Sequence, residues 1–518
     1  MKKTILLAIA VYLISSIGLL YGYLHTPSGM IFLGGHLPNS GEILNMVLPQ
    51  LREGHLLIKN LFTSEPQPRI FFAPSYLPMA LLGQILPVNN FLLVQLGRFF
   101  YTILFFIIAF KFFKLLKLKN IFWAFLLLGF SSGFGLFLKW GIPNSADLWI
   151  PEINTFHSLL FSPNIIFSQI LMMLSLMTFF KGYTLQKWKY FLLSGAFATL
   201  LAFEHQFDAV TVLLTILIFL LLTETKFKIW LKKIFSLWSI FFGPILVFGL
   251  YYFLIKQNWS SLIWTNQNHL YSPPLLSYIS GFGLIGIGAF LAIIKSKNKK
   301  NSSYHLILSW LIAVIIVIYS PLPFQRRFGE GMHIPLVILS SYYLWELVQK
   351  LKKIPFRLGL FFLLLFSAAT NFYLLYLDIK AYQLSPNESP FYIYQEDLTA
   401  LSWLRNNSSD KDVILADGLY SPLIPGLIGR TVYFGHSVGT ALTIDPEKKT
   451  EQAKNFFFYD SDEKRQKFLE NNKITFFFLG KKAAAAEDFS LWEGKDYFRK
   501  VFERQDVKVF KVKNSLII

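Results

Sequence analysis

The sequence predicts a polytopic α-helical membrane protein of about 11–12 transmembrane helices, carrying a small α/β domain on its C-terminal side. Three observations lead there. The 518 residues are 54% hydrophobic and 18% aromatic, with mean hydropathy +0.47, too apolar for an ordinary soluble chain of this size. Nearly every other gap between long apolar runs carries a basic cluster: Lys2-Lys3, Lys111 to Lys119, Lys181 to Lys189, Lys226 to Lys233, Lys295 to Lys300 and Lys350 to Arg357. Finally, the text turns charged after about Glu396.

The basic clusters set the orientation, because Lys and Arg beside helix ends resist translocation. They also account for most of the net charge of +19, so the surplus points to cytoplasmic membrane anchors and membrane lipids rather than to nucleic acid. The chain has no cysteine, which excludes disulfides, thiolate metal sites and a Cys nucleophile.

The first apolar run continues from Thr4 to Tyr23 with no small-residue cleavage motif, so an uncleaved first helix is expected. A span takes about 20 apolar residues. Eleven segments qualify, near 4–22, 91–113, 120–139, 156–180, 189–204, 208–225, 234–255, 274–295, 304–322, 333–349 and 357–378. With the N-terminus inside, all six basic clusters fall in the cytoplasm. The stretch 71–86 is short and broken by Pro74, Pro78 and Gly83; it reads as re-entrant or part of an outer loop, the alternative being a twelfth crossing.

This topology predicts a plasma-membrane protein whose residues 23–69, 140–155, 205–208, 256–274 and 321–332 face outward, with everything after Asp378. In the long first loop, Ile43, Met46, Val47, Leu51, Leu56, Leu57 and Leu61 recur at helical spacing, the pattern of helices lying along the membrane surface. Residues 1–384 thus form a membrane domain, and Ser385–Pro390 a linker into an extracytoplasmic domain, 385–518. There, 397–407 and 462–472 read as helices, and 413–416, 429–434, 474–479 and 507–512 as strands.

Polar chemistry gathers in the outward segments. Glu42 opens the amphipathic stretch of the first loop and could be a general base, or a helix-N-terminal acid favoured by the dipole. Asp147 and Glu152, followed by His157, could bind a cation or an acceptor, or form a polar loop beside the belt residue Trp149. His205 and Asp208, with Glu204, lie between two very apolar runs, where ionisable groups face a cavity, each other or a tight outer turn. Arg326 and Arg327 stand against the positive-inside trend and could grip phosphate, while Glu330 could neutralise one of them. Arg430 to His436 reads as a turn or docking element. No spacing matches a strong metal motif; the cofactor stays unknown, a divalent metal being open but not indicated. A nucleotide-binding glycine loop, H-E-x-x-H and G-x-S-x-G are all missing, which argues against a nucleotide-driven pump or a serine hydrolase.

The layout resembles the GT-C superfamily of membrane glycosyltransferases, closest to uncharacterised bacterial GT-C-like multi-pass proteins. The resemblance is carried by "LREGHLLIKNLFTSEPQPRIFFAPSYLPMALLGQIL", "SADLWIPEINTFHSLLFSPN", "LLAFEHQFDAVTV", "FQRRFGEGMHIPL" and "IPGLIGRTVYFGH". It implies a GT-C-like fold and transfer of a sugar from a polyprenyl-phosphate donor to an outward-facing acceptor. It matches Glu42 to the superfamily's first-loop acid, Asp147 or Glu152 to its second-loop acid, and Arg326 and Arg327 to carrier-phosphate ligands; His205, Asp208 and His157 join them as expected substrate contacts. Two other readings stay open: a transporter or lipid flippase, and a non-catalytic relative that binds lipid or glycan.

Overall fold

The computed structural model describes residues 2–35, 45–138, 144–224, 237–295, 301–350, 354–384, 390–435, 441–484 and 489–513. The chain divides into two compact units: Met1–Gly18, Gln95–Tyr252 and Leu270–Asp378 form one, and Leu19–Val94, Phe253–His269 and Ile379–Ile518 the other.

The first unit is helical, as long apolar runs must be where only an intrasegment ladder can satisfy the backbone. Six helices among the described residues are long and apolar enough to cross a bilayer: Asn90–Leu115, Ile121–Leu138, Pro163–Leu185, Gln206–Thr223, Trp238–Gln257 and Leu275–Lys295. Lys2–Ser15 and Ile17–Leu24, bent by 47°, make a seventh if taken as one span. Trp188–Glu204, Ser302–Val317, His333–Lys350 and Ile354–Tyr382 form helices over the remaining expected spans. The chain is a multi-pass membrane protein.

Burial separates inner helices from outer ones. In Pro163–Leu185 83% of the apolar window is buried, against 22% in Trp238–Gln257, so the former is a central post and the latter offers most of its surface to lipid. The post packs on Trp188–Glu204 through small polar residues: Ser175 Oγ donates to Ser194 O at 3.0 Å and Ser194 Oγ to Ser175 O at 2.9 Å, the close approach that small side chains permit between helices in lipid. The expected span 156–180 is two helices, Thr155–Phe161 and Pro163–Leu185. Pro163 cannot donate to the preceding turn, so Ser162 takes an extended backbone and the proline starts a new helix.

The loop leading out of Ile121–Phe130 touches Leu275–Lys295 backbone to backbone. Phe134 N donates to Ser280 O at 2.7 Å, and a Cβ on Gly133 would sit 2.2 Å from that oxygen. Only glycine fits there.

The second unit is built on a five-stranded sheet. Numbering strands along the chain, β1 is Met30–Phe32, β2 Tyr392–Tyr394, β3 Val413–Leu415, β4 Thr431–Val432, β5 Phe476–Leu479, β6 Phe498–Arg504 and β7 Val507–Val512. The sheet order is β4-β3-β5-β7-β6. β3 runs parallel to β4 and β5, whereas β7 is antiparallel to β5 and β6. Every residue of the central β5 is buried, as expected of a strand covered on both faces. Leu401, Leu404, Ile424 and Phe478 pack in one apolar cluster, and Phe456, Trp492, Phe477 and Phe510 in the other. Separately, β1 pairs antiparallel with β2, Ile31 opposite Ile393.

First-loop residues belong to this unit and are fastened in it by charge. Arg430 Nη1 donates to both oxygens of Glu53, at 2.9 and 3.0 Å. Asp410 pairs with Arg69 at 2.8 Å and Lys59 at 3.3 Å, and the buried Lys449 pairs with Glu65 at 2.7 Å. Asp410 is held below the usual carboxylate range by those two cations. The docking role expected of Arg430 is thus visible, and Glu65, in the same loop as Glu53, is an ion-pair partner too.

The amphipathic first-loop helices are shorter than the sequence predicts. Val47–Arg52 is helical, but Gly54 takes φ +89 and ends the run. Leu56 and Leu57 then lie exposed while Ile58 bridges to Phe71 and Leu61 is buried. The stretch 71–86 becomes a 3-10 turn, Pro74–Tyr76, and a nine-residue helix, Leu77–Ile85, well short of a span.

Candidate functional site in the helical unit

The corner between Trp188–Glu204 and Gln206–Thr223 turns at His205, whose backbone is extended. Asp208 follows in the first turn of the second helix, where the dipole favours an acid. Glu330 arrives from far along the chain, just after the 3-10 turn Gln325–Gly329. Gly331, at φ +73, turns the chain from there into the helix His333–Lys350.

These three meet. His205 Nδ1 stands 3.2 Å from Asp208 Oδ2 and 3.2 Å from Glu330 Oε2. Ser168 Oγ lies 2.9 Å from the same nitrogen, while the amide nitrogen of Asn164 lies 3.1 Å from Nε2. His205 is 7% exposed, Asp208 and Glu330 0%. Beyond the imidazole contacts, Asp208 Oδ1 and Glu330 Oε1 receive no hydrogen bond among the described residues. Glu152, 4% exposed, has an Oε2 likewise without a donor, and its charge acts on both Asp208 and Glu330. Two buried carboxylates and one imidazole therefore share a small volume, with a third buried carboxylate, Glu152, near enough for its charge to act on both acids. Uncompensated charge of this kind is costly and marks function more often than scaffolding.

The arginines border the cluster. Arg326 lays its guanidinium over the Trp149 ring at 5.0 Å, and Arg327 over Phe207 at 5.8 Å. Arg326 N donates to Leu270 O, its Nε is buried without an acceptor, and it has no acidic partner among the described residues. Glu330 does not neutralise it, since that carboxylate faces His205. Tyr278, whose hydroxyl lies 3.0 Å from Ser272 Oγ, senses the charges of both Glu152 and Arg326.

Of the other expected site residues, Asp147 is fully engaged. Its Oδ2 accepts from Gly133 N at 2.9 Å and Gly135 N at 3.2 Å, and its Oδ1 from Ser145 Oγ at 2.7 Å. Burial pushes this carboxyl up from its ordinary range, against those hydrogen bonds. Asp147 holds the glycine loop that meets Ser280. His157 is buried in the helix Thr155–Phe161, whose first turn is capped by Asn154 Oδ1 accepting from His157 N at 3.3 Å. Glu42 lies outside the described residues.

Two buried polar groups escape a reading of the sequence. His333 bridges Ser131 Oγ at 3.0 Å and Thr155 Oγ1 at 2.9 Å; its place at the end of the Arg-Arg segment was the available signal. Arg98 is 0% exposed, donates from Nε to Leu159 O at 3.0 Å and lies over the Tyr12 ring at 5.8 Å. A lone arginine inside a 26-residue apolar helix is a recognisable flag.

No protein-family model and no curated protein sequence matches the chain. Solved structures do. ArnT of Cupriavidus metallidurans, bound to undecaprenyl phosphate, superposes with TM-score 0.52 at 11% identity over 98% of this chain and 98% of its own. The mycobacterial arabinofuranosyltransferase AftD gives 0.52 at 10% identity, over 97% of this chain but 40% of its own. The Archaeoglobus fulgidus oligosaccharyltransferase tethered to an acceptor peptide gives 0.50 at 12% identity, over 91% of this chain and 69% of its own. The likeness is one of fold: the chain shares the fold of these three structures.

Proposed function

We propose that this chain is an inverting glycosyltransferase that moves a sugar from a polyprenyl-phosphate carrier to an acceptor on the outer face of the plasma membrane. The observation that carries the reading is Arg326, a half-buried arginine without an acidic partner among the described residues, bordering a cluster of buried carboxylates inside a GT-C fold. A free guanidinium suits an anionic leaving group, and carboxylates suit an acceptor hydroxyl. ArnT, which shares the fold over nearly its whole length, was solved with undecaprenyl phosphate bound; this lends the lipid-carrier reading its support.

In this mechanism Glu42 takes the proton of the acceptor hydroxyl as its oxygen attacks the anomeric carbon. The bond to the carrier oxygen breaks, configuration inverts, and polyprenyl phosphate leaves with its charge held by Arg326 and Arg327. Glu152 is the second candidate for the base, since one of its oxygens has no donor among the described residues. Asp147 is the weakest, because its carboxylate is tied to Gly133 and Gly135. The N-terminus lies in the cytoplasm, and residues 385–518 form an extracytoplasmic domain.

The test is transfer from a lipid-linked sugar panel by Glu42→Gln, Glu152→Gln and Asp147→Asn. Loss of a general base removes on the order of 10²–10⁴ in rate. The expectation is such a loss for Glu42→Gln with donor binding retained. Transfer that survives in all three variants would sink the carboxylate mechanism, and a parent inactive on every donor would favour a lipid- or glycan-binding protein.

A further inference from the structure

We propose that His205, Asp208 and Glu330 bind a divalent transition-metal ion, of the Zn²⁺ or Mn²⁺ class, at the buried corner of the helical unit. The proposal stands whether or not the chain transfers sugar. No sequence motif announces it, because the third ligand comes from a separate segment.

Geometry is the first support. One ligand atom from each of the three residues lies within 4.8 Å of the other two. Ligands held at about 2.0–2.2 Å around one ion stand about 3–3.5 Å apart, and His205 Nδ1 is 3.2 Å from an oxygen of each carboxylate. The set of one imidazole and two carboxylates suits Zn²⁺ or Mn²⁺ better than Ca²⁺, which takes six to eight oxygens.

Hydrogen-bond capacity is the second. A single Nδ1–H cannot serve two carboxylates, and Ser168 Oγ, 2.9 Å from Nδ1, already donates to Asn164 O at 3.0 Å. Asp208 Oδ1 and Glu330 Oε1 have no donor among the described residues. A cation on the Nδ1 side answers all of these at once.

Charge is the third. Even a protonated imidazole leaves the two carboxylates one charge in excess, and Glu152 adds another with a buried oxygen that has no donor among the described residues. A divalent ion brings the four groups close to neutrality without a proton being forced on any of them.

The surroundings complete a metal site. With Nδ1 on the ion, Nε2 carries the proton and faces the side-chain amide of Asn164, whose nitrogen lies 3.1 Å away; an amide flip puts the oxygen there as acceptor. That contact fixes the tautomer and ring plane, as outer partners of metal-bound histidines do. Three side-chain ligands leave a coordination position for water or a substrate oxygen.

The experiment uses the full chain in detergent, stripped with a chelator and titrated with Mn²⁺, free ion being read by electron paramagnetic resonance. Zn²⁺ is added as competitor, and the reloaded protein is analysed for metal content. About one ion per chain is expected in the parent, displaced by Zn²⁺. Asp208→Asn, Glu330→Gln and His205→Ala should each bind at least tenfold more weakly. Asn164→Ala, which removes no ligand, should weaken binding about tenfold or more through the lost outer contact, while Asp462→Asn on the other unit should bind as the parent does. Should a ligand variant fail to fold, the parent titration and Asn164→Ala decide between them. A parent that binds no ion, or ligand variants that bind as the parent does, would overturn the site.

Discussion

Arg326 and Glu330, four positions apart, show how little a charged residue's neighbours in sequence say about its partner. The adjacency of the two suggests neutralisation, yet Glu330 meets His205 at 3.2 Å and Arg326 covers Trp149. On the proposed reading, replacing Arg326 or Arg327 with Ala weakens binding of polyprenyl phosphate by roughly 2 kcal/mol, about thirtyfold, because a charged hydrogen-bond partner is lost. The protein should remain folded, which unchanged elution and melting would verify. Equal binding by both variants and the parent would leave the arginines as aromatic-stacking residues of their loop. His205 and Asp208, flagged by their place between two apolar runs, do converge. The same logic applied to Arg98 would have found it, since a charge within an uninterrupted apolar helix is conspicuous by type alone.

Elements form where one physical signal dominates and shift where two compete. The helix Gln395–Asn407 and the strand Val507–Val512 lie close to their expected bounds because patterning and charge agree there. β6, Phe498–Arg504, was not foreseen: as an edge strand it exposes Arg499, Lys500, Glu503 and Arg504, and the charges hide its alternation. Where β5 ends, Asp397 from the first turn of Gln395–Asn407 accepts from Tyr420 Oη at 2.5 Å and Lys481 N at 2.8 Å. Lys482 Nζ donates to Tyr392 O at 2.7 Å. Burial pushes Asp397 up to about 6, against the pull of Tyr420 and Lys482, and brings Lys482 down to about 8. For Asp397 the folded chain keeps a proton that the unfolded chain has already lost between about pH 4 and 6. Its stabilising share is thus full below the ordinary carboxyl range and disappears as pH rises through 6. The melting temperature of the full chain in detergent should fall between pH 4.5 and 6.5, and Asp397→Asn should fall less, by on the order of 3 °C. Parallel curves for the two would mean that this carboxyl does not govern the acid side of the profile.

Orientation in the membrane is a property of the whole molecule, and the alternating lysine clusters argue it. Single cysteines at Lys299 and Ser437, introduced into a chain that has none of its own, should react with an impermeant thiol reagent from opposite sides, Ser437 from outside. Both reacting from one side would overturn the proposed topology and separate Glu42 from an outward acceptor. The sequence by itself determined the class of protein: apolar length forces helices in lipid, lysine placement argues their direction, and the change of composition near 396 announces the sheet. It also marked His205, Asp208, Glu152 and the two arginines, because ionisable groups beside long apolar runs are rare enough to notice. Only the tertiary structure decided which of them meet. Residues 19–94 and 253–269 join 379–518 in one compact unit through pairs such as Glu53 with Arg430. Asp147 is taken up by Gly133 and Gly135, and Glu330 closes on His205. Such long-range pairings depend on helix packing and loop trajectory, which local periodicity does not encode.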